Sequence, residues 1–148
     1  MLLYFIDMDH PADVIVHGWG KDKKAAFEQA VLGMYNYLTP LSGIETTGDV
    51  EISVDGAEDE KDLLYKIMDE CLFNFSTEFF VCKEFTITEM TESSIKATGR
   101  GEAFVRGKHE PGTEIKAITM HNMRIHANDG NGDGNGDLRV DVYVTVDI

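Results

Sequence analysis

Leu138-Arg139-Val140-Asp141-Val142-Tyr143-Val144-Thr145-Val146-Asp147-Ile148, the last eleven residues of the sequence, alternate with a strict period of two. Leu138, Val140, Val142, Val144, Val146 and Ile148 share one parity, and Arg139, Asp141, Tyr143, Thr145 and Asp147 share the other. Successive side chains of a strand point to opposite faces, so this stretch predicts a strand with one apolar face and one polar face. Asp147 falls on the polar side, at the strand's end.

Working outward, three further strands are expected at about Val81 to Met90, Ser94 to Phe104 and Glu114 to His126. Upstream, Val50, Ile52 and Val54 alternate with Glu51, Ser53 and Asp55, again a half-buried strand. Residues 3 to 7 and Val14 to Trp19 complete the strand candidates. Two helices stand among them. From Lys23 to Leu38, the residues Phe27, Ala30, Val31, Met34, Tyr37 and Leu38 recur at three- and four-residue steps, and Pro40 stops the run. The second helix follows the acidic segment Gly56 to Asp62, whose carboxylates suit the positive end of a helix dipole. Its stripe is Leu63, Leu64, Ile67, Met68, Cys71, Leu72 and Phe75, each large side chain contributing about 1.5–3 kcal/mol when buried. The stripe reads as core. Clustered strands and helices predict an α+β class: two helices packed on a largely antiparallel β-sheet, a single-domain sandwich over residues 1–148.

A chain of 148 residues buries about two-thirds of its unfolded surface and needs no disulfide or zinc staple. Cys71 and Cys82 lack metal-ligand or redox spacing and read as reduced core thiols of a cytoplasmic protein. The Met1-Leu2-Leu3-Tyr4-Phe5-Ile6 run is too short for a signal peptide, and no membrane-crossing segment is expected. With 27 acidic against 13 basic residues the formal net charge is −14, which repels a phosphate backbone. Direct nucleic-acid binding is therefore not expected. Any role in RNA chemistry has to pass through a partner protein.

Asp9-His10-Pro11-Ala12-Asp13 puts two carboxylates and an imidazole in five positions. Pro11 fixes its own φ and pushes His10 into an extended conformation, so the stretch predicts a stiff polar corner leading into the Val14-Ile15-Val16-His17 strand. Asp13, at the mouth of that strand, is a candidate cation ligand. Asp129-Gly130-Asn131-Gly132-Asp133-Gly134-Asn135-Gly136-Asp137 superficially fits a calcium loop, but position 12 of the loop is Val140 where a bidentate glutamate belongs. It reads as a hairpin connection, with a weak calcium site as the other reading.

Four stretches in order give the chain a resemblance to the archease family. They are His10-Pro11-Ala12-Asp13; Trp19-Gly20 with Ala25-Ala26-Phe27-Glu28-Gln29-Ala30; Glu114-Ile115-Lys116-Ala117-Ile118-Thr119-Met120-His121; and Val146-Asp147-Ile148. Pro11 stands where the family usually has threonine, and the Gly-rich loop is longer than typical. The resemblance implies a divalent metal held by Asp13, Asp147 and, through a C-terminal carboxylate, Ile148. Oxygen-only ligands select hard cations, calcium first and magnesium or manganese otherwise. The resemblance further implies no enzyme but an activator of the GTP-dependent tRNA-splicing RNA ligase, promoting its guanylylation and multiple turnover. A chaperone-like modulator of a tRNA cytosine methyltransferase is the alternative. His10 and Lys116 are candidate partner contacts, and Trp19 is expected to pack. A free-standing metal-dependent hydrolase, with Asp13 and Asp147 as ligands and a histidine as base, is the weakest reading; His109 and His121 have no paired nucleophile in the sequence.

Overall fold

The computed structural model describes residues 2–5, 12–128 and 138–148, the first of these through its backbone. In chain order the elements are β1 (Leu2–Phe5), β2 (Asp13–Gly20), α1 (Lys23–Leu38), β3 (Gly48–Val54), α2 (Glu60–Glu78), β4 (Phe80–Met90), β5 (Ile95–Ala103), β6 (Ala117–Ile118), β7 (Arg124–Asn128) and β8 (Arg139–Asp147). All pairings between these strands are antiparallel. The α+β class is as the sequence predicts, with its strands divided between two sheets. One is five-stranded, in the order β1-β2-β8-β6 with β7 also on β8; the other is three-stranded, β3-β5-β4. α1 touches β2 and β8 of the first sheet and β4 of the second, while α2 lies against β3 and reaches β6.

The period-two reading of the last strand sets the larger sheet. Val142, Val144 and Val146 are fully buried, as are Val14 and Val16 on β2. β8 is interior, with β2 on one side and β6 and β7 along successive lengths of the other. One expectation is corrected here: the single strand from Glu114 to His126 is two short strands. Asn122 takes a left-handed φ of 54°, which asparagine tolerates, and the turn around it steps the chain out of one strand line. Thr119 anchors the near side, its N–H and Oγ1 both donating to the Thr145 carbonyl at 3.0 and 2.9 Å.

Both helices begin on an aspartate whose side chain accepts a first-turn N–H: Asp22 from Ala25 and Asp59 from Asp62, each at 2.8 Å. α1 presses so closely on β2 that a Cβ at Gly18 would lie 2.6 Å from Ala30 N and 2.7 Å from Ala26 O. Only glycine fits. At the other end of α1, Tyr37 and Leu38 carbonyls accept N–H groups of Thr113 at 3.0 Å and Gly112 at 2.8 Å, and Thr39 Oγ1 donates to the Glu110 carbonyl at 2.6 Å. These bonds satisfy orphan helix-end carbonyls and hold residues 110–115 as a strap across the helix end. A side chain at Gly112 would collide with the Tyr37 carbonyl.

The expected stripe of α2 is buried at Leu63, Leu64, Ile67, Met68, Cys71 and Leu72. Phe75 is only half-buried. Cys71 and Cys82 are unbonded and buried, and burial pushes both thiols up, Cys82 to about 11. They stay protonated and unreactive. Among the described residues no helix is long and apolar enough to cross a membrane.

Candidate functional site

Asp13 opens β2 and Asp147 closes β8, and the register sets them directly opposite each other. The Ile148 N–H donates to the Ala12 carbonyl at 3.2 Å, so the next pair along is hydrogen-bonded. Antiparallel pairs alternate, which makes Asp13 and Asp147 a non-hydrogen-bonded pair, the kind in which side chains stand closest. Both point to the face of the sheet away from α1, and both are half-buried. On the far side of β8, the Lys116 N–H donates to the Asp147 carbonyl at 2.8 Å and Ala117 is the Cα partner of Asp147. The end of β8 is thus gripped from two strands.

Among the sequence candidates, the fold brings Asp13, Asp147, Ile148 and Lys116 into one corner, although more than a hundred positions separate Asp13 from the others. Lys116 is exposed there. His10 and Pro11, and the whole 129–137 loop with its calcium-like spacing, lie outside the described residues. Among the described residues no group of three or more His, Cys, Asp and Glu side chains is placed to hold a metal. The corner offers two side-chain carboxylates beside Ile148. Two carboxylates at one strand end are the donor type that could hold a hard cation.

The same outer face carries a polar and aromatic ladder that sequence reasoning missed. The His17 ring stacks on Tyr143, its cross-strand partner, with centroids 4.3 Å apart, and the Arg124 guanidinium lies 4.2 Å from the Tyr143 centroid. Trp19 packs as expected, tilted against His17 at 4.9 Å, and Arg139 covers it at 5.1 Å. Asp141 joins the two ends, bonded to His17 Nε2 at 2.7 Å and to Arg139 at 3.0–3.2 Å. Burial raises its pKa, but the bonds from Arg139 and His17 outweigh that and hold the carboxyl below its ordinary value. The odd parity of β8 already grouped Arg139, Asp141 and Tyr143; their partners on β2 and β7 needed the register.

A third polar cluster lies near the strap. Glu102 on β5 accepts from Lys108 Nζ at 2.7 Å and from the Glu45 N–H at 2.6 Å, with His109 Nε2 at 3.2 Å. The Lys108 bond, then the Glu45 N–H, pull its carboxyl well below the usual range, to about 2.

Fold and corner together define a class: a small α+β sandwich whose interior last strand delivers an acidic pair to one end of its larger sheet. Residues 5–148 match the model of the Archease protein family (MTH1598/TM1083). The chain belongs to the archease family. It is 42% identical over 146 residues to a Dictyostelium discoideum protein named protein archease-like, covering 95% of this chain and 91% of that one. It is 36% identical over 144 residues to a protein archease of Danio rerio, covering 95% and 83%. The solution structure of protein 1598 of Methanobacterium thermoautotrophicum has a similar fold, with a TM-score of 0.72 and 30% identity over 99% of this chain and 98% of that one.

Proposed function

We propose that this archease-family chain is an accessory protein without chemistry of its own, which activates the GTP-dependent tRNA-splicing RNA ligase. The observation that carries the reading is the opposed pair Asp13 and Asp147, with Ile148 tied to Ala12 beside it. These residues fit a hard divalent cation, calcium first and magnesium or manganese otherwise, because every donor is oxygen. Such a cation, when bound, supplies positive charge where the ligase must handle the phosphates of its guanylylation step. The chain's own part is positional. β2 and β8 set the two aspartates opposite each other, β6 holds the carbonyl of Asp147, and Lys116, exposed beside that strand end, is a partner contact. His10 is the other partner contact in this reading. A net charge of −14 suits approach to a basic RNA-handling enzyme.

The test is multiple-turnover joining of split RNA by the ligase of the same organism, with trace amounts of this protein. Wild type accelerates turnover, and Asp13→Ala loses most of the acceleration while keeping its fold. Equal acceleration by Asp13→Ala defeats the metal-corner mechanism. If wild type leaves the ligase unchanged but co-purifies with a tRNA cytosine methyltransferase and keeps it soluble, the chaperone-like reading replaces the activator.

A further inference from the structure

The side of the molecule formed by the end of α2 and the strap contradicts ordinary surface economy. Three large apolar side chains are exposed there or close by: Phe73 at 61%, Phe79 at 54% and Val105 at 50%. Phe79 is the residue after α2 and sits in the left-handed region, φ 59° and ψ 17°. That position favours glycine, because a Cβ there crowds the backbone. A phenylalanine at this cap carries backbone strain, and although its ring meets Phe75 edge-on at 6.3 Å, the residue stays more than half exposed.

Beside these residues lies a hollow of about 450 Å³ between α2 and the strap, with Leu38, Leu72, Phe75, Phe104, Pro111 and Ile115 in its walls. A second, of about 410 Å³, opens on the other flank of the same helical turns and shares Leu72 and Ser76 with it. Phe73 stands in the wall of the second. The strap wall is rigid, since Gly112 and Thr113 are bonded to the end of α1. The charged residues lining the two hollows are Glu114, Asp69 and Glu70 against a single Lys116. An apolar floor with an acidic rim is complementary to an apolar anchor flanked by Lys or Arg. Lys116 links the hollows to the strand end that carries Asp147: it lines one of them, and its backbone N–H holds the Asp147 carbonyl.

We propose that this double hollow is a docking surface for a basic amphipathic segment of the protein partner, which seats large apolar side chains between Phe73, Phe79 and the strap and its cations over Glu114, Asp69 and Glu70. The proposal rests on the reading of the chain as a ligase activator and assigns it a second contact. The corner does the activating; the hollows supply the hold. A small molecule fits less well, because exposed Phe79 extends the apolar surface beyond either cavity.

Titration of the purified ligase with wild type, Phe73→Ser and Phe79→Gly tests it. Melting curves are recorded beside the titrations. Glycine suits the left-handed cap, so Phe79→Gly is expected to melt at or above wild type. Both variants are nevertheless expected to bind the ligase about tenfold or more weaker, and to need correspondingly more protein for half-maximal stimulation of joining. Asp13→Ala instead lowers the maximal stimulation. Wild-type affinity in both phenylalanine variants overturns the docking surface and leaves the activator reading intact. No ligase binding by wild type overturns both. A wild-type dimer that Phe73→Ser dissociates, with ligase affinity unchanged, gives the hollows to a second copy of the chain and also overturns the proposal.

Discussion

Glu28 on α1 accepts the backbone N–H of Ile87 on β4 at 2.7 Å. Ile87 lies where the β4–β5 ladder shifts register, between Ile87 and Glu89, so its N–H is served by a helix side chain in the place of a strand. This bond ties α1, which packs on the larger sheet, to the smaller one. Glu28→Ala leaves a buried donor without a partner and is expected to cost about 1–3 kcal/mol in urea unfolding. Glu28→Gln keeps an acceptor and is expected to cost less. Equal losses for the two variants would show that the charge, and not the accepted N–H, matters.

The opposed Asp13 and Asp147 predict a stability that responds to hard cations. Asp13→Asn removes one of the two carboxylates, and the response to calcium is expected to fall with it. At a calcium concentration 100 times its dissociation constant, wild type gains about 2.7 kcal/mol, and the variant loses most of that gain. Thermal melts with and without calcium read both effects, and a calcium shift undiminished in Asp13→Asn removes the corner as the binding site.

Glu102 predicts a specific acid limb. Its folded pKa is depressed to about 2, so its contribution is fully present above the ordinary glutamate value of about 4.3 and is lost as pH falls through about 2. Glu102→Gln is therefore expected to melt lower than wild type at neutral pH, with the difference shrinking between about pH 4.3 and 2. A difference that is flat with pH assigns the loss to packing.

Gly18 predicts the steepest loss for the smallest change. The atoms a Cβ would meet are backbone of α1, which cannot swing aside as a side chain can. Gly18→Ala is expected to cost about 1–3 kcal/mol by forcing the helix off the sheet, measurable as a lowered urea midpoint. Gly43→Ala, where nothing lies within 4 Å, is the control.

Elements that repeat a side-chain period over many residues were legible in the chain itself. β8 and both helices were of this kind, since Val142, Val144 and Val146 on β8 and Leu63 to Leu72 on α2 display their buried faces in sequence. The acidic corner was legible as residue types, with Asp13 and Asp147 read as partners through the family likeness; the strand register then supplied their relative position. What could not be read depends on a single backbone choice or on pairing. The Glu114 to His126 apolar content concealed one left-handed asparagine. The partition into two sheets follows from which strands meet, which no local pattern encodes. The stacked His17, Tyr143 and Arg124 lie on three strands, so their adjacency appears only once β2 and β7 are aligned on β8. Phe79 was hidden for the opposite reason: sequence rules put glycine, not phenylalanine, at a left-handed cap.

β8 is last in sequence yet interior in its sheet, the only described link between β2 on one side and β6 and β7 on the other. During synthesis, β1 and β2 therefore leave the ribosome long before the strand that covers their open edge. That edge carries unpaired N–H and C=O groups while most of the chain is still being made. The contacts that close it span most of the sequence, a topology that slows folding and prolongs exposure to aggregation. Completion of the acidic corner coincides with closure of the sheet: Asp147 can meet Asp13 only in a chain whose final strand has docked, so nascent and unfolded copies lack the paired site.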